Sequence, residues 1–417
     1  MGWEKRLFAL TASTAVLLSG CGLSGKEPAA KPVVAEQAPP DSKVVETVKE
    51  PVFRFPLTGL AAEKEVKDRP VAVMVENSPA ARPQSGLHQA DVVYEVLAEG
   101  EITRFVAIYQ SSPAERIGPV RSIRPYLVKL GDGHDALLVH AGWSPDAMEL
   151  MQRNKLNHFD QVYGDDKYYW RDSSRKAPHN LYTSIAKIRE GAEDKKFRAE
   201  WKGGALAFMS NAEAVAAGLY VAPAEAGGGA GKAAGQAGSK GEAAPGASVA
   251  ASASPSGTAG GGAGASGAAS GSGKAAADGA AVPAGASAGK EAAASVRAEY
   301  IRGYDVEYKY NESTKRYERY MEGEPHQDKD TGETLTAANV LIVEAEHQIL
   351  DDVGRRDVNI DGPGQGYYAA GGMIRPIEWK RTGGIITAYE NGKPVKLLSG
   401  QTWVQIVPVG SKVEWSK

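Results

Sequence analysis

Between Ala224 and Ser295 the chain has almost nothing to bury. Of these 72 residues 57 are Ala, Gly or Ser, and no Leu, Ile, Met or aromatic side chain occurs. Ordering a backbone costs roughly 1–2 kcal/mol per residue, and so little apolar surface does not offset that, so residues 224–295 are expected to be disordered. Closing a long loop costs only the logarithm of its length, which makes an inert surface insertion mild for the fold. With the N-terminal segment also set aside, roughly 290 residues carry the folding information, enough for two cores.

The N-terminal segment reads as an address. Lys5 and Arg6 precede the apolar run Leu7 to Leu18, which Thr11, Ser13 and Thr14 interrupt. The run is too short for a stable bilayer-spanning helix and has the form of a secretory signal. It ends Leu18-Ser19-Gly20-Cys21, which resembles the bacterial lipobox, and Cys21 is the single cysteine of the chain. The expectation is a signal peptide over residues 1–20, a lipidated Cys21 carrying palmitate-type acyl chains, and a disordered tether over 21–52, rich in Pro, Ala, Lys, Glu and Val. Two acyl chains suffice for stable anchoring, which places the protein on the outer face of a bacterial cytoplasmic membrane. One thiol leaves no disulfide framework and no Cys-rich metal site. With 48 Lys plus Arg against 51 Asp plus Glu, the net charge of −3 excludes a globally basic surface, and no nucleic-acid partner is expected.

The remaining sequence divides by periodicity. Residues 53–200 mix strands and helices, which predicts an α+β or α/β domain with a mixed central sheet and a ligand-binding role. Val71 to Val75 is a continuous apolar run, and Asp91 to Ala98 and Glu101 to Gln110 are β-rich. A two-residue loop at Glu99-Gly100 makes the latter two a hairpin whose paired numbers sum to 199, with Glu95 opposite Arg104. Pro125 starts a helix, Asp135 to His140 reads as a strand, Ser144-Pro145 opens a second helix, and Leu181 to Arg189 forms a third. Residues 201–223 and 296–417 are nearly all strand and turn, which predicts a mostly-β domain, a sandwich or a small barrel, interrupted by the insertion. There Tyr304, Val306, Tyr308 and Tyr310 alternate, a turn spans Asn311 to Lys315, and Tyr317, Arg319 and Met321 return. Val395 to Leu398 is read as one of the further strands.

A series of motifs then carries a resemblance. Ala81-Arg82-Pro83-Gln84-Ser85-Gly86, Ala90-Asp91-Val92-Val93-Tyr94-Glu95, Gly118-Pro119-Val120-Arg121-Ser122, His140-Ala141-Gly142, Tyr169-Trp170-Arg171-Asp172 and Ala177-Pro178-His179-Asn180-Leu181-Tyr182 resemble those of the YerB-like bacterial lipoproteins. Tyr317-Glu318-Arg319, Asn339-Val340 and Gly400-Gln401-Thr402-Trp403 extend the likeness into the second part. The Ala/Gly/Ser tract departs from the pattern but lies outside the motifs. The resemblance implies an anchored, two-domain envelope lipoprotein of a family defined by a domain of unknown function, with no catalytic activity to transfer.

Chemistry is sought in the polar members of these motifs. Arg121 and Arg124 flank Ser122 where a helix should start, an arrangement suited to a carboxylate or phosphate, unless each arginine pairs with a carboxylate of a neighbouring strand. The ligand-binding candidates are Arg82, Gln84, Glu95, Arg104, Arg121, Arg124, His140, Arg171, His179 and Asn180. Glu95 and Arg104 are expected to form a cross-strand pair, either purely structural or bordering the functional cleft. Ser144 invites a nucleophile reading, but Asp146 stands where the elbow motif needs glycine, and an N-cap role explains it. His134, His140 and His158 lack metal-ligand spacing, Asp328-Lys329-Asp330 lacks the later residues of a calcium loop and reads as a polar turn, and Gly362 to Gly366 lacks the P-loop Lys. No metal and no cofactor are expected. The leading reading is an extracytoplasmic binding or regulatory module recognising an anionic envelope component, such as a cell-wall polymer, or a protein partner. The alternative is an envelope hydrolase or transferase with Glu95 or His140 as general acid or base. Replacing Cys21 by Ala should move the protein from washed membranes to the soluble fraction, read by immunoblot. Full retention of that variant, with its signal cleaved, overturns the lipidation site.

Overall fold

In a computed structural model, which describes residues 49–219 and 289–417, Val71–Glu76 (β1) is buried at all six positions. A strand without alternation is one covered on both faces, and β1 lies inside a sheet of 12 strands. The first part of the chain adds Val92–Leu97 (β2), Thr103–Tyr109 (β3), Pro125–Gly133 (α1), Leu137–His140 (β4), Pro145–Arg153 (α2), His158–Asp160 (β5) and Ile185–Asp194 (α3). The second adds Ser295–Ile301 (β6), Tyr304–Asn311 (β7), Arg316–Met321 (β8), Asn339–Ala345 (β9), Gly364–Ala370 (β10), Met373–Thr382 (β11), Ile385–Glu390 (β12), Thr402–Pro408 (β13) and Val413–Ser416 (β14). The N-terminal part is a mixed sheet with few helices, and the C-terminal part is mostly β. The expected signal segment, Cys21, the tether up to residue 48 and most of the Ala/Gly/Ser tract lie outside the described residues.

The large sheet runs Lys393–Pro394, β12, β11, β10, β9, β13, β2, β3, β1, β4, β5. The two parts of the chain therefore share one sheet, joined where β13 lies parallel to β2. Strands β9, β13 and β2 are parallel, as are β1, β4 and β5. Antiparallel β3 stands between the two sets, so all six point the same way. Helices α1 and α2 cover one face, where Leu127, Leu130, Ala147 and Met151 join a core with Ala72, Met74, Val106 and Leu138. A second sheet, ordered Glu324–Pro325, β8, β7, β6, β14, covers the other face, where Val296, Tyr308 and Tyr317 join Val73, Val93 and Trp403. Its strands alternate buried and more exposed positions, the period of a half-covered sheet. The β-rich part thus forms this second layer and also extends the large sheet with β9 to β13.

Four expectations are corrected. Numbers paired across β2 and β3 sum to 200, so Glu95 faces Phe105 and Arg104 faces Val96. The loop holds three residues, Glu99 to Glu101, closed by Ala98 N donating to Ile102 O at 2.8 Å, with Gly100 at φ +57°. One extra loop residue shifts the register by one and carries a side chain to the opposite face, so Glu95 and Arg104 do not pair. The third helix starts at Ile185, where Ser184 Oγ accepts from Lys187 N at 3.2 Å; Leu181–Tyr182 is a short strand. Val395 to Leu398 forms no strand, because Leu397 N is taken by Ala207 O at 2.8 Å. The end of the Ala-rich tract belongs to the fold: Glu291–Ala292 pairs with β11, Ala293 is fully buried, and Ser295 opens β6.

A directed ring of hydrogen bonds locks the second sheet onto the first. Arg319 Nη2 donates to Glu95 Oε2, and neither side chain has exposed surface. Arg319 Nη1 is a donor only, so His326 Nδ1 accepts it at 2.8 Å and His326 Nε2–H donates to Gln84 Oε1 at 2.7 Å. Gln84 Nε2 donates to Asn77 Oδ1 at 2.8 Å, and Asn77 Nδ2 closes the ring on Glu95 Oε1 at 3.2 Å. Tyr304 Oη and Thr103 Oγ1 donate to the same oxygen at 2.5 and 2.8 Å. Burial and the nearby Arg319 push His326 well below the usual imidazole range, consistent with that tautomer. Replacing Arg319 by Met strands Glu95 and should cost about 3–5 kcal/mol in urea unfolding. Adding Glu95→Gln should recover part of the loss, whereas an unchanged midpoint in the single variant overturns the assignment.

Candidate functional site

Because six strands share a direction, their carboxyl ends line one edge, with Glu76 ending β1, Leu97 ending β2, His140 ending β4 and Asp160 ending β5. Ligand crevices of open sheets lie outside such ends. The segment after β3 returns across this edge: Arg121 N donates to Met74 O at 2.9 Å, Ala141 N to Arg121 O at 3.1 Å, and Ile123 N to Gly142 O at 3.1 Å. Residues 169–183 follow, with Val120 N donating to Leu181 O at 2.7 Å and Tyr169 Oη to His140 O at 3.2 Å. At the meeting point stands Glu76, a buried carboxylate. Its Oε2 lies 2.9 Å from His179 Nδ1, and its Oε1 accepts from Ser78 Oγ at 2.9 Å and pairs with Arg121 Nε at 3.3 Å. The Arg121 and His179 side chains keep 33% and 25% of their surface exposed. Next to them Arg171 Nη1 donates to Asn180 Oδ1 at 3.0 Å and Nη2 to Gln161 Oε1 at 3.5 Å. Arg175 donates to Ala81 O and Pro83 O at 2.6 and 2.7 Å. Among the described residues these last two guanidiniums hydrogen-bond to neutral acceptors alone.

Of the candidates, Arg121, Arg171, His179 and Asn180 thus come together. The others are placed elsewhere. Arg124 pairs with Glu99, which also takes Arg104 at 2.8 Å, so Arg121 and Arg124 serve different carboxylates rather than one anion. Burial raises Glu99, but the two arginines outweigh it and hold its carboxyl below the usual range. Arg82 Nε donates to Asn77 O at 3.1 Å and its Nη1 to Glu322 at 2.9 Å. Gln84 and Glu95 belong to the buried ring. His140 has no exposed surface; its Nδ1 lies 3.0 Å from Gly142 O and its Nε2 3.2 Å from His158 Nδ1. Glu95 and His140 are therefore shut from solvent. Ser144 holds the N-cap position of α2, but its hydroxyl caps nothing. Asp328 organises a polar turn, accepting from Asp330 N at 3.0 Å and Gly86 N at 2.7 Å.

Three important residues escaped the sequence reading. Glu76 carried a signal, a charge closing the apolar run Val71 to Val75. Arg319 also carried one, being in phase with the inward positions Tyr317 and Met321 of β8. His326 carried none.

A mixed N-terminal domain and a β-rich C-terminal domain built on one sheet, with a cluster of polar side chains at the strand ends, define a two-domain α+β protein. Both domains match one family. Residues 57–198 match the "Protein of unknown function (DUF3048) N-terminal domain", and residues 296–404 match its C-terminal domain. The chain is 32% identical over 360 residues to "Putative lipoprotein YerB" of Bacillus subtilis (strain 168), covering 85% of this chain and 86% of that protein. It also matches the crystal structure of YerB protein from Bacillus subtilis with a TM-score of 0.64 and 31% identity, over 87% of this chain and 99% of that one. The chain belongs to the family of YerB and the DUF3048 domains.

Burial pushes His140 down to about 3, helped by the neighbouring His158, so the native state keeps it neutral. The unfolded chain protonates it near pH 6.5. Stability contributed by the neutral form is present above pH 6.5 and is lost as pH falls towards the native value, on the order of 2 kcal/mol by pH 5. A His140→Gln variant, less stable at pH 7.5, should close its gap to wild type by about that amount at pH 5 in urea titrations. A gap independent of pH overturns the neutral assignment.

Proposed function

We propose that this protein is a membrane-anchored, extracytoplasmic binding module of the bacterial envelope that holds an anionic ligand at the Arg121–Glu76–His179 group. The observation carrying the reading is that one buried carboxylate, Glu76, positions a guanidinium and an imidazole, both partly exposed, at the carboxyl edge of the sheet. The Nη atoms of Arg121 and Nε2 of His179 have no partner among the described residues, and Arg171 and Arg175 add two guanidiniums that pair directly with no carboxylate among those residues. Guanidiniums present paired donors that match carboxylate and phosphate oxygens.

The anchoring half rests on the lipobox-like Leu18 to Cys21 and on a relative named as a lipoprotein. No helix among the described residues is long and apolar enough to cross a membrane. The chain enters the folded body at the amino end of β13, where Gly400 N donates to Thr58 O at 2.7 Å and Arg54 Nη1 to Ser399 Oγ at 3.2 Å. That entry is opposite the crevice. The 27 residues between Cys21 and Lys49 span at most about 95 Å, so the crevice can meet material well beyond the lipid surface. In this reading residues 53–200 bind, while the β-rich domain braces them through the buried ring.

The test is calorimetric binding of anionic wall polymer to full-length, detergent-solubilised protein. Arg121→Ala removes a charge-assisted contact of about 1.5–3 kcal/mol and should weaken binding roughly 10- to 100-fold. Equal affinity of variant and wild type defeats the site.

A further inference from the structure

The same carboxyl edge carries exposed aromatic surface that the anion site does not use. Trp143, on the loop after β4, stacks on Tyr163, on the loop after β5, with ring centroids 5.1 Å apart and planes 30° apart. Tyr163 is 65% exposed and the adjoining Val162 55%. An aromatic side chain placed in solvent on a rigid support is informative in a way that a scattered apolar residue is not. Here the support is built in. Asp160, buried at the end of β5, accepts from Gly142 N at 2.9 Å and from Val162 N at 3.0 Å through the same Oδ1. One carboxylate thereby clamps the two aromatic-bearing loops together, and the ring of Tyr163 is presented preorganised, backed by Trp143.

The platform connects to the cationic group through planar polar side chains. Gln161 precedes Val162 and accepts from Arg171 at 3.5 Å. Arg171 reaches Asn180 at 3.0 Å, and Asn180 follows His179, which Glu76 shares with Arg121. An exposed ring, an amide, a guanidinium, an imidazole and a second guanidinium succeed one another along one edge, while the buried Asn180 amide, spent on Asp172 O and Arg175 O, holds Arg171 in place. A pyranose offers what this series takes: an apolar C–H face for the ring and vicinal hydroxyls for a planar amide and guanidiniums. The exposed residues around Tyr163 include Gly164, Asp166 and Lys167, which argues against a broad apolar protein-docking face.

The geometry points to an anionic saccharide as the ligand: a sugar ring stacks on Tyr163, and its acidic substituent, carboxylate or phosphate, is held by Arg121, Arg171 and His179. This deepens the anion-binding reading and rests on it.

The experiment compares full-length, detergent-solubilised wild type with Tyr163→Ala, Tyr163→Phe and Arg121→Ala in calorimetry. The probes are a carboxylate-bearing disaccharide, the same disaccharide reduced to the neutral alcohol, a phosphorylated disaccharide, and inorganic phosphate. The expected result is at least tenfold weaker binding of the acidic disaccharide by Tyr163→Ala, retention by Tyr163→Phe, and no change for inorganic phosphate. Arg121→Ala should weaken both anionic sugars at least tenfold and the neutral one little, and the carboxylate and phosphate arms identify the substituent. If Tyr163→Ala binds the acidic sugars like wild type while Arg121→Ala fails, the saccharide inference falls and the anion site stands. If Arg121→Ala changes nothing, the underlying reading falls. Wild type that binds inorganic phosphate but no saccharide overturns the inference, as does binding of a protein ligand through Tyr163 with no sugar affinity. Unchanged thermal unfolding of Tyr163→Ala excludes misfolding as the cause of any loss.

Discussion

A carboxylate and a guanidinium with no solvent contact, Glu95 and Arg319, face each other between the two sheets, and the layered structure depends on them. Taking each charge out of water costs several kcal/mol, and their attraction offsets this only when the remaining donors and acceptors are also satisfied. The ring through His326, Gln84 and Asn77 supplies that satisfaction for all but Arg319 Nε, which has no partner among the described residues, and the Trp403 ring, 4.8 Å from the Arg319 guanidinium carbon, adds a cation–π contact. A buried ring of directed hydrogen bonds tolerates one arrangement of the two sheets and penalises the rest. Apolar packing alone would bring β6, β7 and β8 onto the large sheet without fixing how they sit there.

What could be read from the chain divides along the reach of its signals. Period-2 alternation in β7 and β8, the continuous burial of β1 and the helix starts at Pro125 and Pro145 are local, and the structure has them. The β2–β3 register needed one more fact, whether Glu101 belongs to the loop or to the strand, and a mistake of one residue exchanged faces for Glu95 and Arg104. The true partner of Glu95 lies 224 positions away, in a different part of the chain, and no spacing rule reaches so far. The sharing of one sheet by both parts was hidden for the same reason, since β13 beside β2 is a contact between distant segments.

The site was legible as a set of residue types and illegible as a set of partners. Arginines and a histidine in motif segments announced a polar cluster. Their division into the crevice group, the Glu99 group and the buried ring followed from which face and which strand end each occupies. Arg121 and Arg124 show this most plainly: three residues apart and read as one anion clamp, they pair with carboxylates at the ends of two different strands, Glu76 as the last residue of β1 and Glu99 beyond β2. Antiparallel β3 lies between those strands, so the separation is set by topology rather than by sequence distance.

The end of β1 joins these two layers of organisation. Glu76 and Asn77 are consecutive in extended backbone, so their side chains leave on opposite faces of the sheet. Glu76 points to the helix-covered side and holds His179 and Arg121. Asn77 points to the second sheet and completes the buried ring, accepting from Gln84 and reaching Glu95 and Thr103. Arg82 adds a tie on the same stretch through Asn77 O. A ring that fixes Asn77 in one rotamer also fixes the peptide on which Glu76 hangs, and Glu76 in turn sets the Arg121 guanidinium and the His179 imidazole at the carboxyl edge. The docking of the C-terminal domain and the geometry of the crevice are thereby one constraint, because the residue that closes the lock and the residue that builds the site are neighbours on a single strand end.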